Sequence, residues 1–271
     1  MKVKKHSHKV FESKNKTIQF KEDVIKYLLI AASIISVLTT FGILFSILFE
    51  ALEFFKLKSF IYFLTGTEWS PGVENSKFGA VPIFAGTFII TIIAMCVALP
   101  IGIFSAIYMS EYASVSVRAK VKPLLEILAG IPTVVYGFFA AITVAPFIVQ
   151  VCEAIGIQAS FNSALASGVV MGIMIIPVIS SLSDDVISAV PDSQRKGALA
   201  LGLTPAESIK AVVLPAALPG IISACILGVS KALGETMIVV MAAGLRPNLT
   251  LNILEDMTTV TVRIVDALVG D

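Results

Sequence analysis

The sequence predicts an all-α, polytopic membrane helix bundle, and three observations carry that prediction. Of 271 residues, 56% are hydrophobic and only 14% are Asp, Glu, Lys or Arg, where soluble domains hold about 45–50% and about 25%. The apolar residues are gathered into five uncharged runs, each near or beyond the roughly 20 residues that a helix needs to cross a bilayer. These runs lack the apolar-polar alternation of barrel strands, and backbone polar groups cannot stay unpaired in hydrocarbon, so helices are the spanning element. The same arithmetic excludes disorder, collagen-like repetition and a disulfide-stapled secreted module. Cys96, Cys152 and Cys225 stand isolated inside apolar segments and are expected to pack as small hydrophobes.

In chain order, residues 1–26 form a basic tail with eight lysines against Glu12, Glu22 and Asp23. Placed before a spanning helix, such a tail sets topology, and a net charge of +1 gives no reason to expect nucleic acid. Tyr27 to Phe49 is uncharged for 23 residues, longer than the roughly 7–15 of a signal-peptide core, and Glu50-Ala51-Leu52-Glu53 lacks a small-residue cleavage pattern. An uncleaved anchor is expected. Trp69, near Tyr62 and Phe63, is expected as an interfacial aromatic. The later runs are Phe78 to Ser110, Ile127 to Cys152, Ala154 to Ser183, and Ala211 to Leu245, the last interrupted only by Lys231 and Glu235. Pro132 and Pro177 should kink or break their helices unless neighbours satisfy the freed carbonyls. Gly168 and Gly172, four apart, would let another helix approach closely.

Charge distribution orients the bundle. With the tail inside, segments 1–26, 111–126 and 184–210 hold fourteen of the twenty Lys and Arg, the outer segments five, and Lys231 lies within a span. That asymmetry predicts a cytoplasmic N-terminus. Residues 27–271 form the membrane domain, and the fifth crossing puts residues 246–271, an amphipathic stretch with no sixth span, on the outer side. Asp184-Asp185, at the inner end of the fourth run, is expected as a solvated helix end.

The segment from about 184 to 215 carries its own punctuation. Asp192 or Ser193 can cap a short helix ending at Gly202, a residue suited to the left-handed conformation. Thr204 can cap the next helix, with Pro205 at its first position and Glu207 completing a capping box. Such a helix-turn-helix either covers the inner end of the bundle or lays an apolar face, with Leu199, Leu201 and Leu203, into a groove on a soluble partner. Lys196-Gly197-Ala198, Gly202 after three residues, and Val212-Val213-Leu214-Pro215 after nine more resemble the EAA loop of ABC importer permeases, E-A-A-x3-G-x9-I-x-L-P. That resemblance implies a coupling helix docked in the cleft of a cytoplasmic ATPase, with Lys196, Gly197, Ala198, Gly202, Glu207, Leu214 and Pro215 as coupling residues. Lys196 replaces the usual Glu, and Gly197 the first Ala. An exposed pair through that Glu would be worth only about 0–1 kcal/mol.

Lys231 and Glu235 are four residues apart, so on one helical face they can neutralise each other. If that helix crosses between about Pro219 and Ala243, Lys231 sits near mid-membrane, where an ionisable group costs at least about 2.5–3.5 kcal/mol and usually faces a bundle interior or a water-filled path. A structural ion pair and a transport site are both open on physics alone. Lys231-Ala232-Leu233-Gly234-Glu235-Thr236 is similar to the R-A-x-G-E-T signature of phosphate-specific ABC permeases of the C-type subunit, with Lys for its Arg. Ala129 to Phe139, Gly66-Thr67-Glu68-Trp69 and Phe78-Gly79-Ala80 agree, so the resemblance runs from about Gly66 to Asp271.

The resemblance implies an importer permease fold of the methionine-importer (MetI-like) type. Its partners would be a second related permease, a cytoplasmic ATPase dimer holding ATP and Mg, an external phosphate-binding protein, phosphate, and the lipid of the cell membrane. Lys231, Glu235 and Thr236 would line the substrate path: Lys231 as a transient cationic site, Glu235 to balance its charge, and Thr236 with a hydroxyl expected to bond its own helix. The family continues into a last membrane helix, so a truncated chain is expected. Another oxyanion, such as molybdate or sulfate, and a non-transporting scaffold or sensor remain as alternatives. No catalytic constellation and no GxxxxGK[ST] loop occurs, so no enzyme activity is expected on this chain. His6 and His8 have no Cys or carboxylate at a ligand spacing, so no metal is expected either.

Overall fold

Long apolar stretches make long helices here, and glycine, proline and polar caps decide where they stop. The computed structural model describes residues 3–72 and 76–269, with side chains from Gln19 onward. The chain separates into two units, residues 1–60 and 61–271. In the first, helix α1 (Val3–Leu57) runs unbroken through the basic tail and the first apolar run. The Ser33, Thr39 and Thr40 hydroxyls donate to carbonyls four residues back at 2.8–2.9 Å. The helix thus satisfies its own polar groups, as a span in hydrocarbon must.

After α2 (Phe60–Thr65), β1 (Trp69–Ser70) and β2 (Lys77–Phe78) pair antiparallel with Trp69 opposite Phe78. The Trp69 and Phe78 rings meet edge-on, 5.8 Å apart, and Phe63 adds a third ring at 6.4 Å. A Cβ on Gly79 would lie 2.4 Å from the Gly66 carbonyl oxygen, so two glycines allow the backbones to touch. The two stretches that carried part of the family resemblance are therefore one hairpin. The indole N–H of Trp69 is enclosed and unpartnered among the described residues.

The centre of the second unit is the contact between α3 (Val81–Ile107, running into a π turn at Tyr108–Tyr112) and α7 (Ala164–Ser188). Gly168 and Gly172 face α3 as expected. A Cβ at Gly168 would lie 2.6 Å from Ile93 Cγ2, and one at Gly172 would lie 2.7 Å from the Ala94 carbonyl oxygen. Lipid tails are as apolar as leucine, so close packing of this kind, not exclusion from water, holds membrane helices together. Around this contact Ile90, Met171, Met174, Ile175, Ile179, Ile238, Val239 and Met257 are fully buried. A second cluster at the other end of α7 joins Ala106, Ile187, Val190, Val213, Ala217 and Ile221.

Three expected boundaries move. Helix α4 (Val115–Ala129), capped by Ser114, takes in Ile127, so the third crossing starts after Gly130 and Pro132, at Thr133. It comprises α5 (Thr133–Phe139), a π turn and α6 (Ala145–Ala154). Pro132 breaks the chain because the residue before a proline is driven out of helical geometry and Pro132 itself is extended (φ −57°, ψ 136°). The fourth crossing starts at Ala164, where the Ser163 hydroxyl accepts from the Ala166 N–H at 3.2 Å. It stays helical through buried Pro177. The fifth ends at Leu233, not Leu245: α9 (Pro205–Ser208), a π turn and α10 (Leu214–Leu233) form one continuous span. Five helices are long and apolar enough to cross a membrane among the described residues. Short helices α8 (Asp192–Ala200), α11 (Met237–Ala242) and α12 (Val260–Val269) complete the fold.

Candidate functional site

Two clusters of sequence-predicted residues emerge, one at each end of α10. At one end α8 and α9 form an elbow. Gly202 holds the turn with φ +88°, the left-handed geometry that glycine adopts without a side-chain penalty. The capping box is complete: the Glu207 N–H donates to Thr204 Oγ1 at 3.4 Å, and the Thr204 N–H donates to Glu207 Oε2 at 2.8 Å. The cap expected on α8 is not made. Pro191 occupies that position, with no side-chain bond from Asp192 or Ser193; Asp192 reaches Arg195 instead, at 3.5 Å. Lys196, Gly197, Gly202, Glu207 and Pro215 are exposed, Leu214 is half-buried, and Ala198 alone of α8 is buried. Leu201 at the tip is 87% exposed and Leu199 46%, so the elbow presents an apolar point.

Beneath the elbow lies a charge network that the sequence reading missed. Asp184, expected in water, is fully buried, and its carboxylate accepts from Arg118 of α4 at 2.9 Å with Lys122 at 3.7 Å. Lys122 also pairs with Asp185, and that hydrogen bond holds its ammonium above the ordinary lysine range. Arg195 of α8 pairs with Glu111 of the π turn after α3 at 2.9 Å and donates to the Ile187 carbonyl at 2.7 Å and to the Val190 carbonyl. Ile187 lies in the last turn of α7, its carbonyl shared with the Val190 N–H at 3.2 Å, and Val190 lies just beyond the end of the helix. Arg118 donates further to Ser188 Oγ at 2.6 Å, itself 3.1 Å from Ser110 Oγ. Two charged segments were the available signal: Glu111, Arg118 and Lys122 in one and Asp184, Asp185 and Arg195 in the other offer opposite signs, but their pairing is long-range.

At the other end of α10 the expected Lys231–Glu235 pair does not form. Lys231 is half-buried in the last turn of α10, without a hydrogen bond or ion pair from its side chain among the described residues. It stands near the C-terminal end of α10, which stops at Leu233 and does not continue to Ala243. Gly234 ends the helix, and Glu235 turns to cap α11: its Oε1 accepts from the Met237 and Ile238 N–H groups at 3.1 and 3.3 Å. Glu235 is 7% exposed, and its main-chain carbonyl accepts from Thr261 Oγ1 of α12 at 2.8 Å. A break placed between Lys231 and Glu235 removes the one-turn spacing on which their pairing depended. Thr236, half-buried at the start of α11, makes no side-chain cap bond.

Other motif residues converge on this break. Helix α11 packs on α5, where a Cβ on Gly137 would lie 3.1 Å from the Met237 carbonyl oxygen. The Tyr136 hydroxyl donates to the Leu128 carbonyl at 3.0 Å and bridges the Pro132 break. The stretch from Ala129 to Phe139 thus meets α11, which follows directly on the stretch from Lys231 to Thr236, a hundred residues further along the sequence. Counting α10 at about 1.5 Å per residue, Lys231 and Leu214 are about 25 Å apart along one rigid element.

Comparison with known proteins agrees with this architecture. Residues 98–262 match the family model described as binding-protein-dependent transport system inner membrane component. A probable ABC transporter permease, YqgH of Bacillus subtilis, is 39% identical over 184 residues, 68% of this chain and 58% of its own length. The chain thus spans under two thirds of that relative. The phosphate transport system permease PstC 1 of Mycobacterium tuberculosis is 32% identical over 249 residues, 81% of this chain and 73% of its own length. PstC of Xylella fastidiosa strain Temecula1 is also 32% identical, over 87% of this chain and 76% of its own length. The chain is a membrane-spanning permease subunit of the binding-protein-dependent transport system inner membrane component family, similar within it to the PstC phosphate permeases.

Proposed function

We propose that this chain is a permease subunit of an ATP-driven importer of inorganic phosphate. It forms the translocation path with a second related permease, with the N-terminus and the α8–α9 elbow on the cytoplasmic side of the cell membrane. An external binding protein delivers phosphate, and a cytoplasmic ATPase dimer, holding ATP and Mg, docks on the elbow. The observation that carries this reading is that α10 joins an exposed apolar elbow at one end to a half-buried lysine, without a side-chain partner among the described residues, at the other.

Lys196, Gly197, Ala198, Gly202 and Glu207 shape the docking elbow, and Leu214 and Pro215 begin the helix that carries its movement. Lys231 offers the anion a transient positive charge. With no carboxylate bonded to it among the described residues, that charge is available to a ligand. Lysine is a compact, strongly hydrated point charge without arginine's fork, which favours passage over tight capture. Glu235 holds the helix break beside it, and Thr236 adds a hydroxyl at the same place. Similarity to phosphate permeases supports phosphate as the oxyanion.

The test is uptake of labelled phosphate by the complete complex in liposomes. Uptake should require ATP and be competed by arsenate but not by sulfate or molybdate, and Lys231→Ala should reduce it while the complex still assembles. Equal competition by sulfate or molybdate, or full uptake by the assembled Lys231→Ala complex, would refute the proposal.

A further inference from the structure

Helix α8 is exposed on most of its surface, and its packing contacts run to its own elbow, the π turn at Ile209–Val213 and α9. Ala198 is its only buried side chain. Among the described residues, the side-chain hydrogen bonds and ion pairs from α8 to α7 and the turn after α3 pass through one side chain, Arg195. Arg195 is 20% exposed and Glu111 11%. The guanidinium joins α8 to the Ile187 carbonyl in the last turn of α7, to the Val190 carbonyl just beyond that helix and to Glu111 in the turn after α3, all through one planar group. The α7–α8 connection, Ala189 to Pro191, has no other side-chain bond across it among the described residues. We propose that Arg195 is the positioning residue that makes α8 move with α3 and α7. Without it, a push on the elbow would swing α8 about Pro191 and leave the core behind. This inference rests on the coupling role proposed above, and it adds the residue through which that role reaches the bundle.

Arginine suits the place because its rigid fork can meet a carboxylate and two carbonyls together, whereas lysine supplies one point charge. Hydrogen bonds to charged groups contribute about 1.5–3 kcal/mol each, so removing the fork should loosen the joint about tenfold or more.

The experiment uses the assembled complex and two readouts. Arg195→Gln should retain ATP hydrolysis within about twofold of wild type while uptake per ATP falls about tenfold. Glu111→Gln, which keeps the carbonyl bonds, should fall less, and Arg195→Lys should lie between wild type and Arg195→Gln. The second readout needs no substrate. Spin labels at Ala200 and Tyr112, with the native cysteines replaced, should report one narrow distance with and without ATP in the parent protein and a broadened one in Arg195→Gln. A narrow, unchanged distance in Arg195→Gln, or hydrolysis and uptake lost in equal proportion, would overturn the proposal. Broadening in a complex that carries no phosphate would sustain the joint and refute only the assigned substrate.

Discussion

Gly172→Ala adds one methyl group at the closest approach of α7 to α3. That carbon would lie 2.7 Å from the Ala94 carbonyl oxygen and 2.7 Å from Val97 Cβ, whereas unstrained carbon contacts lie at about 3.5–4.0 Å. The neighbours are backbone or the first atom of a side chain, so no change of rotamer relieves the clash and the helices must part by about 1 Å. Overpacking of this kind costs about 1–3 kcal/mol, and alanine's better helix propensity returns about 0.8–1 kcal/mol, leaving a loss of up to about 2 kcal/mol. Thermal unfolding in detergent of fixed composition should show a midpoint lower by up to about 8 °C, at about 2–4 °C per kcal/mol for a chain of this size. Gly197→Ala is the control, since nothing lies within 4 Å of its added carbon. It should leave the midpoint unchanged or raise it by the propensity gain. A Gly172→Ala midpoint at or above wild type, or an equal fall in both variants, would refute the reasoning that close α3–α7 approach stabilises the bundle.

Three further outcomes follow from the same contacts. Asp184→Asn removes the buried charge that faces Arg118 and Lys122, and breaking a buried pair costs about 3–5 kcal/mol. Both cations are about a third exposed, so solvent screening reduces the expected loss to about 1–3 kcal/mol, read as a lower thermal midpoint; an unchanged midpoint would show that the network contributes nothing. Thr204→Ala removes one half of the capping box and should cost about 0.5–2 kcal/mol at α9, seen as faster exchange of the Glu207 amide, with equal exchange in both proteins as the contrary result. Glu235→Gln keeps an oxygen for the Met237 and Ile238 N–H groups and should unfold close to wild type, while Glu235→Ala should lose about 1–3 kcal/mol. Equal stability of the two would mean that the cap does not hold the break.

Much of the architecture was legible in the linear pattern. Uncharged runs identified five crossings because a bilayer sets a minimum helix length, and Gly202, Thr204, Pro205 and Glu207 announced the elbow because turns and caps are made by residues within a few positions of one another. Gly168 and Gly172 announced a close helix contact for the same local reason, though not that α3 would fill it. The third and fifth crossings were misplaced because hydrophobicity alone does not register a helix end buried inside an apolar run. Gly130 and Pro132 stop one, and Gly234 stops the other.

What the chain's own order could not reveal was long-range electrostatics. Lys231 and Glu235 looked like partners because they are four residues apart, yet a break between them sends the carboxylate to the amides of α11 and leaves the ammonium without a partner among the described residues. Asp184 looked solvated because it sits at a helix end, yet Arg118, 66 residues away, buries and pairs it. Arg195 looked like one cation among several, yet its fork closes on Glu111, 84 residues away, and on the end of α7. Length, hydropathy and capping are properties of neighbouring residues and can be read along the chain. The partner of a charge depends on which helix ends the packing brings within about 3 Å, and only the folded arrangement decides that.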